Sequence, residues 1–332
     1  MFPPLSPTTP LSPLPKEYAR IDKLSAAGAA PGVAVQDVKT KVLRQAPLNL
    51  VHDVDLTYPG LRLVHLDPPV FVIEDFLSAE ECDRYIALAD ADEEGKECPR
   101  AMKVDSPTFG LALNAARTST TWFCRYDALR EMVERNAKLL KLDETTEARQ
   151  RFEEPQLVRY EPGQQFKWHF DEVPEEQQAV EGSGGQRLAT TLVYLNNLED
   201  DAGQAGATVF RDMGVSVVPK KGMGLLFFPS FAGDGIVGGG SDAEDEGAAG
   251  EEATDAKKKK KKKPKAKKQK SKKNKGPAFT PMDVTRGMGD ARTLHAGFAP
   301  LSGTKWISQI WTHEREYAPR VPQGNAHLGD CT

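Results

Sequence analysis

Cysteine is scarce in this chain of 332 residues: Cys82, Cys98, Cys124 and Cys331 are the only four, and no two form a CxxC pair. That spacing excludes a compact disulfide scaffold or a thiolate zinc finger and suits free thiols in a reducing compartment. Long apolar runs are missing as well, and none approaches the roughly 20 residues that cross a bilayer as a helix. The first thirty residues have neither a basic n-region nor an apolar stretch of secretory type. A cytoplasmic or nuclear location is therefore expected, with the endoplasmic reticulum as the alternative if the start is incomplete. Histidine is also rare, with six residues, so each can be weighed singly.

Charge is plentiful but segregated. Ser241 to Ala256 holds seven acids and Lys257 to Lys275 holds fourteen lysines, so the formal net charge of −4 divides into +7 on this stretch and −11 on the rest. The stretch has almost no large apolar side chains and cannot offset the entropy of its own ordering. It reads as a long disordered acidic and poly-Lys insert, residues 232–281, within one domain. Its lysines offer a counter-charge to an acidic partner, to a nucleic-acid backbone or to a nuclear-import receptor. No aromatics are interleaved to stack on bases, which argues against sequence-specific recognition. A solvated insert partly neutralised by its acidic neighbour is the plain alternative.

Residues 1–66 are proline-rich without a sustained hydrophobic period and read as a disordered tail and linker, with an organelle-transit segment as the alternative. Order is expected from residue 67 to 316, followed by a C-terminal tail over 317–332. Pro69 to Ile73 has strand character, and Ser78-x-x-Glu81 is a capping box that opens a helix with Cys82, Tyr85, Ile86 and Ala89 on one face. A second helix is predicted from Tyr126 to about Lys141. After Glu154 come short β-type runs, "QLVRY", "RLATTLVYLN", "ATVFR", "VSVVP", "GLLFF", "RTLHAGF" and "KWISQIW", separated by turn residues. Helices followed by many short strands predict an α+β domain: a β-sandwich, jelly roll or barrel with the N-terminal helices packed on its outside.

The chemistry-bearing residues concentrate in two of these runs. In "FKWHFD", side chains two apart on a strand point the same way, so His169 and Asp171 can address one ion, although such a pair also arises by chance on a surface. His295 lies in a β-type run among small neighbours. Two histidines and one carboxylate on a face with open positions form the donor set of non-haem Fe(II) oxygenases. Ten residues on, Lys305, Ile307, Gln309 and Trp311 share one face of a strand. An inward lysine is costly unless an anion meets it, and the plain alternative is an edge lysine that snorkels to water. Phe210, Phe227 and Phe228 read as core, Trp122 and Trp168 as core or substrate-facing, and the remaining histidines, His52, His65, His313 and His327, as surface or tail residues.

Taken in order, "FLSAEECDRYIALA", "RTSTTWF", "EEPQLVRYEPGQQFKWHFDE", "RLATTLVYLN", "GATVF", "VVPKKGMGLLFF" and "LHAGFAPLSGTKWISQIW" resemble the catalytic domain of the prolyl 4-hydroxylases, members of the 2-oxoglutarate/Fe(II) dioxygenases. The resemblance runs from about Pro69 to Arg315. It implies a double-stranded β-helix (jelly roll) core and hydroxylation of peptidyl proline, coupled to decarboxylation of 2-oxoglutarate to succinate and CO2. Fe(II), dioxygen and L-ascorbate are the implied cofactors, and a proline-containing peptide or protein is the implied partner. His169, Asp171 and His295 are similar to the iron triad, and Lys305 to the lysine that pairs with the far carboxylate of 2-oxoglutarate. Tyr160, Thr208 and Trp311 match positions lining the cosubstrate pocket, and Arg187 and Phe166 match positions contacting peptide. Where the family often has Gly-Gly-Glu-Thr this chain has "AGATVF", and where Pro-Val often follows the distal His-x-Gly it has Ala299 and Pro300. Both departures touch the substrate groove rather than a ligand. Two alternatives accompany this reading: the same chemistry on another residue or a small molecule, or a non-catalytic scaffold tethered by the lysine run.

Overall fold

The computed structural model describes residues 53–66, 68–91, 99–104, 118–142, 150–198, 206–237 and 282–320. The lysine run and its acidic neighbour, and with them any partner they would bind, lie outside the described residues, as do His52 and His327.

Among the described residues, fourteen strands form three antiparallel sheets. The large sheet has the order β1 (Leu61–Leu66), β2 (Pro69–Ile73), β10 (Gly224–Phe227), β7 (Arg187–Tyr194), β14 (Lys305–His313), β5 (Gln156–Tyr160), β4 (Thr120–Cys124), β3 (Ala101–Val104). A small sheet has the order β6 (Phe166–His169), β13 (His295–Gly297), β8 (Thr208–Phe210), β9 (Val215–Val217), and β11 (Gly235–Val237) pairs with β12 (Met282–Val284).

The period of two along each strand splits the large sheet's apolar residues between its faces. Val70, Val72, Val158, Leu192, Tyr194, Leu225, Phe227 and Ile307 form one buried cluster with Phe210, Val215 and Val217 of the small sheet, so the two sheets pack face to face. Phe71, Ile73, Leu157, Val193, Leu226 and Ile310, one residue out of step, form the second cluster with the helices α1 (Ala79–Asp90) and α2 (Arg130–Leu139). Removing one of the large fully buried rings, such as Phe71→Ala, should cost about 3–5 kcal/mol.

The capping box forms: the Ser78 hydroxyl accepts from the Glu81 amide at 3.2 Å, and the Glu81 carboxylate accepts from the Ser78 amide at 2.7 Å. Arg135 of α2 then grips the same Glu81 at 2.6 and 2.8 Å and donates to the Phe76 carbonyl, locking the two helices together. Helix α2 begins four residues later than the spacing predicts, because Tyr126 to Leu129 form turns that bring the Tyr126 hydroxyl to the Phe152 carbonyl at 2.7 Å. Asn136 pegs α2 to the sheet by accepting from Thr191 at 2.6 Å and donating to Thr312 at 3.2 Å.

Three boundaries differ from the sequence reading. Residues 53–66 are not tail: β1 pairs with β2, and Val54, Leu61 and Leu63 are buried. The part of the insert within 232–237 and Met282 onward forms a paired stem, β11 with β12. Beyond residue 316, Tyr317 is buried, and its amide donates to the Gln150 carbonyl at 2.7 Å.

Candidate active site

His169 closes β6 and His295 opens β13, and the antiparallel register places them directly opposite each other. Asp171 follows β6 by two residues. One ligand atom from each of the three lies within 4.8 Å of the others, with His169 Nε2 3.6 Å and His295 Nε2 3.9 Å from Asp171 Oδ1. Each imidazole is turned by its second nitrogen. His169 Nδ1 donates to the Lys167 carbonyl at 2.7 Å and His295 Nδ1 to the Thr293 carbonyl at 3.0 Å. A carbonyl can only accept, so Nδ1 carries a proton, and Nε2 is the nitrogen turned toward the centre of the triad.

The carboxylate is divided in the same way. Asp171 Oδ2 accepts from the Thr190 hydroxyl at 2.8 Å and from Trp311 Nε1 at 3.0 Å, leaving Oδ1 toward the histidines. Burial pushes the Asp171 carboxyl upward, but the charges of His295, His169 and Arg187 outweigh it and hold the group below its ordinary range. Phe166 stacks on the outer face of His169, with centroids 3.4 Å apart and planes 11° apart, and Phe210 and Phe227 pack around His295. Two histidines and one carboxylate on one side of an open space are a fitting donor set for Fe(II).

The same cavity runs along the inner face of β14, past Gln309 and Ile307 to Lys305, with Tyr160, Thr208 and Gly297 around its far end. Lys305 is 1% exposed, and no carboxylate pairs with it among the described residues. Its ammonium lies 5.1 Å from the Tyr160 ring and 5.9 Å from the Tyr194 ring, and burial pulls its pKa down to about 7. Gly297 leaves the adjoining space open: a methyl there would sit 3.7 Å from Lys305 Nζ and 3.8 Å from the Tyr160 hydroxyl. A buried cation beside a cradle that one methyl would fill fits the far carboxylate of a small dicarboxylic keto acid.

The other expected site residues fall in different places. Thr208 lines the cavity, and its hydroxyl accepts from Tyr194 at 2.8 Å. Trp311 lies behind the triad as the donor to Asp171 and is not among the residues lining the cavity. Phe166 lines the cavity, against His169. Arg187 is drawn inward: its guanidinium covers the Trp311 ring at 3.9 Å, and its Nε pairs with Glu153 at 2.7 Å. Its Nη1 also donates to the Asp171 carbonyl at 3.3 Å. Burial pushes the Glu153 carboxyl up, yet Arg187 and His313 together hold it down at about 2.

His313 is therefore not a surface residue. It is 1% exposed, with Nε2 2.7 Å from Glu153 and its ring stacked on Tyr317. The alternation of β14 carried one step past Trp311 reaches it, so the strand spacing held a signal. Glu153, Thr190 and Tyr194 left none, because their roles arise from contacts across sheets. Trp122 is core, stacked on Trp306 at 5.5 Å, while Trp168 is half-buried and meets Phe298 edge-on.

Known proteins are similar to this chain over part or most of its length. Residues 155–234 match the family model described as the 2OG-Fe(II) oxygenase superfamily. Probable prolyl 4-hydroxylase 7 of Arabidopsis thaliana is 35% identical over 181 residues, covering 48% of this chain, which spans about half (52%) of that relative's length. Probable prolyl 4-hydroxylase 4 of the same plant is 29% identical over 328 residues, covering 88% of this chain and 87% of the relative. Among solved structures, a collagen prolyl hydroxylase of Paramecium bursaria Chlorella virus-1 aligns over 73% of this chain and 94% of its own, at 22% identity and a TM-score of 0.42. Over residues 155–234 the chain matches the 2-oxoglutarate/Fe(II) oxygenases, and over longer stretches it is similar to prolyl 4-hydroxylases.

Proposed function

We propose that this protein is an Fe(II)- and 2-oxoglutarate-dependent dioxygenase that hydroxylates proline in peptides. One observation carries the reading: a two-histidine, one-carboxylate triad and a buried lysine that has no anionic partner among the described residues face the same cavity. A scaffold would have no physical reason to keep a cation buried at that cost. Proline as the target rests on the relatives, prolyl 4-hydroxylases by name.

In this proposal His169, Asp171 and His295 hold the metal, and Lys305 neutralises the far carboxylate of 2-oxoglutarate, assisted by hydroxyls of Tyr160 and Thr208. Bound iron and 2-oxoglutarate supply the oxidising power, activating dioxygen for insertion into a C–H bond as the keto acid becomes succinate and CO2. The chain's own part is orientation and exclusion of water. Trp311 and Thr190 fix which oxygen of Asp171 faces the metal, and Phe166, Phe210 and Phe227 form a dry collar around the imidazoles. L-ascorbate would supply the reducing equivalents that keep iron held by His169, Asp171 and His295 ferrous. The architecture we infer is a jelly-roll core with α1 and α2 on the outer face of its large sheet, spanning 53–320 as one domain interrupted by 238–281. The lysines between 257 and 275 we propose as a counter-charge for acidic partners.

Succinate release from purified protein supplied with Fe(II), 2-oxoglutarate and ascorbate tests this reading. The parent should release succinate and His295→Ala should not. Parent-like release by that variant would remove His295 from the metal site.

A further inference from the structure

The stem from which the lysine run departs is fastened beside the metal triad. Its second strand, β12, leads through a turn to His295, eleven residues past Val284. Gln186 ties that turn to the segment carrying Asp171. Its amide nitrogen donates to the Gly287 carbonyl at 3.0 Å, and its amide oxygen accepts from Val173, two residues beyond Asp171, at 2.7 Å. Gly289 lies so close to the Glu172 carboxylate that a methyl there would overlap it. On the first-strand side, Ser230 donates to the Arg187 carbonyl at 3.0 Å and the Phe231 amide to the Met288 carbonyl at 2.9 Å. Both ends of the insert therefore depart from the elements that hold Asp171 and His295.

The stretch after Asp171 is acidic. Glu172, Glu175 and Glu176 make no ion pair among the described residues, and Glu175 and Glu176 are exposed on the short helix Glu175–Gln178. The lysine run, outside the described residues, has the complementary charge: residues 257–275 hold fourteen lysines around one proline, Pro264, in "KKKPKAKK". Pro264 stands eighteen residues before Met282, a connection that spans up to about 60 Å. Pro277 and Pro281 stand only five and one residues before it, which limits them to about 17 Å or less. A substrate joined to its enzyme is presented at an effective concentration on the order of millimolar.

We propose that the segment around Pro264 is a tethered substrate of this cavity, drawn in by the acidic stretch after Asp171, and that Pro264 is hydroxylated by its own chain. The proposal rests on the reading of the cavity as a proline-directed 2-oxoglutarate dioxygenase site. A ring C–H bond of Pro264 becomes C–OH, with one atom of dioxygen in that hydroxyl and the other in succinate as CO2 leaves. Two electrons from the ring and two from the keto acid together reduce one dioxygen.

The full chain, purified with an iron chelator and then supplied with Fe(II), 2-oxoglutarate and ascorbate without added peptide, would be cleaved at acidic residues and mapped by mass spectrometry. One oxygen should appear on Pro264, none on Pro277 or Pro281, and none anywhere in the insert of Asp171→Ala. Its rate per chain should not change over roughly a hundredfold range of protein concentration, as an intramolecular step requires. The Glu175→Gln/Glu176→Gln double variant should mark Pro264 roughly tenfold more slowly, the loss expected when steering charges are removed. Succinate release with Pro264 unmodified would overturn the proposal and leave the dioxygenase reading standing. A rate per chain that rises with protein concentration, or one unchanged in the double variant, would overturn the tethered, charge-guided step in the same way. A parent that neither binds 2-oxoglutarate nor releases succinate would overturn both.

Discussion

Replacing Lys305 by methionine should stabilise the protein in the absence of cosubstrate and abolish its response to cosubstrate. The lysine is fully buried and lacks an anionic partner among the described residues, and burial lowers its pKa from 10.5 to about 7. Between those pH values the unfolded chain keeps a proton that the folded chain has released, so stability rises with pH across that window. The cost of the buried ammonium is fully present below pH 7 and relieved by pH 10.5. The interval corresponds to roughly 5 kcal/mol, and relaxation and water entry leave a few kcal/mol of it. At about 2–4 °C per kcal/mol for a domain of this size, Lys305→Met should melt on the order of 10 °C above the parent near pH 6.5. The gap should close as the pH approaches 10. Thermal melts from pH 6.5 to 10, with and without 2-oxoglutarate, make the measurement. At a hundredfold excess over its dissociation constant the ligand should stabilise the parent by about 2.7 kcal/mol and leave the variant unmoved. A variant no more stable than the parent at pH 6.5, or a gap independent of pH, would refute the reasoning.

Other perturbations address the remaining parts of the site. Gly297→Ala meets only ordinary contacts of 3.7–3.8 Å and should fold normally, yet calorimetry should show 2-oxoglutarate binding weakened roughly tenfold because the cradle is filled. Trp311→Phe removes one of the two donors to Asp171 Oδ2 and should lower metal affinity roughly tenfold, read by metal titration, with the fold retained in circular dichroism. Glu153→Gln removes the charge that pairs with the buried Arg187 and should cost about 3–5 kcal/mol in urea unfolding at pH 7. Deleting residues 238–281 and joining the ends with a short Gly-Ser turn should preserve the melting temperature within a few degrees and retain succinate release, since both ends of the deletion sit on the paired β11–β12 stem.

Much of this site could be read along the chain because its parts are set by local spacing. His169 and Asp171 are two apart, and Lys305, Ile307 and Gln309 follow the alternation of one strand into the cavity. The start of α1 was equally legible, since a capping box is written in four consecutive residues. Contacts between elements far apart in the chain left no such trace. Arg187 has the composition of a surface contact until Glu153 and Trp311 are seen to enclose it. Trp311 was expected to pack on a cosubstrate, but the position of Asp171 makes it a hydrogen-bond donor to the carboxylate. His313 looks like a surface histidine by composition, and only the β14 alternation continued past Trp311 brings it inward. The first strand has no sustained pattern of its own, since Leu61 and Leu63 become core only through pairing with β2.

The central claim is that this cavity directs oxygen onto proline. Its most direct test is mass spectrometry of proline-containing peptides incubated with the purified chain, Fe(II), 2-oxoglutarate and ascorbate under labelled dioxygen. The account predicts one labelled oxygen on a proline ring, formed in step with succinate and lost in Asp171→Ala. Labelled oxygen on a residue other than proline, with proline unmodified, would contradict it.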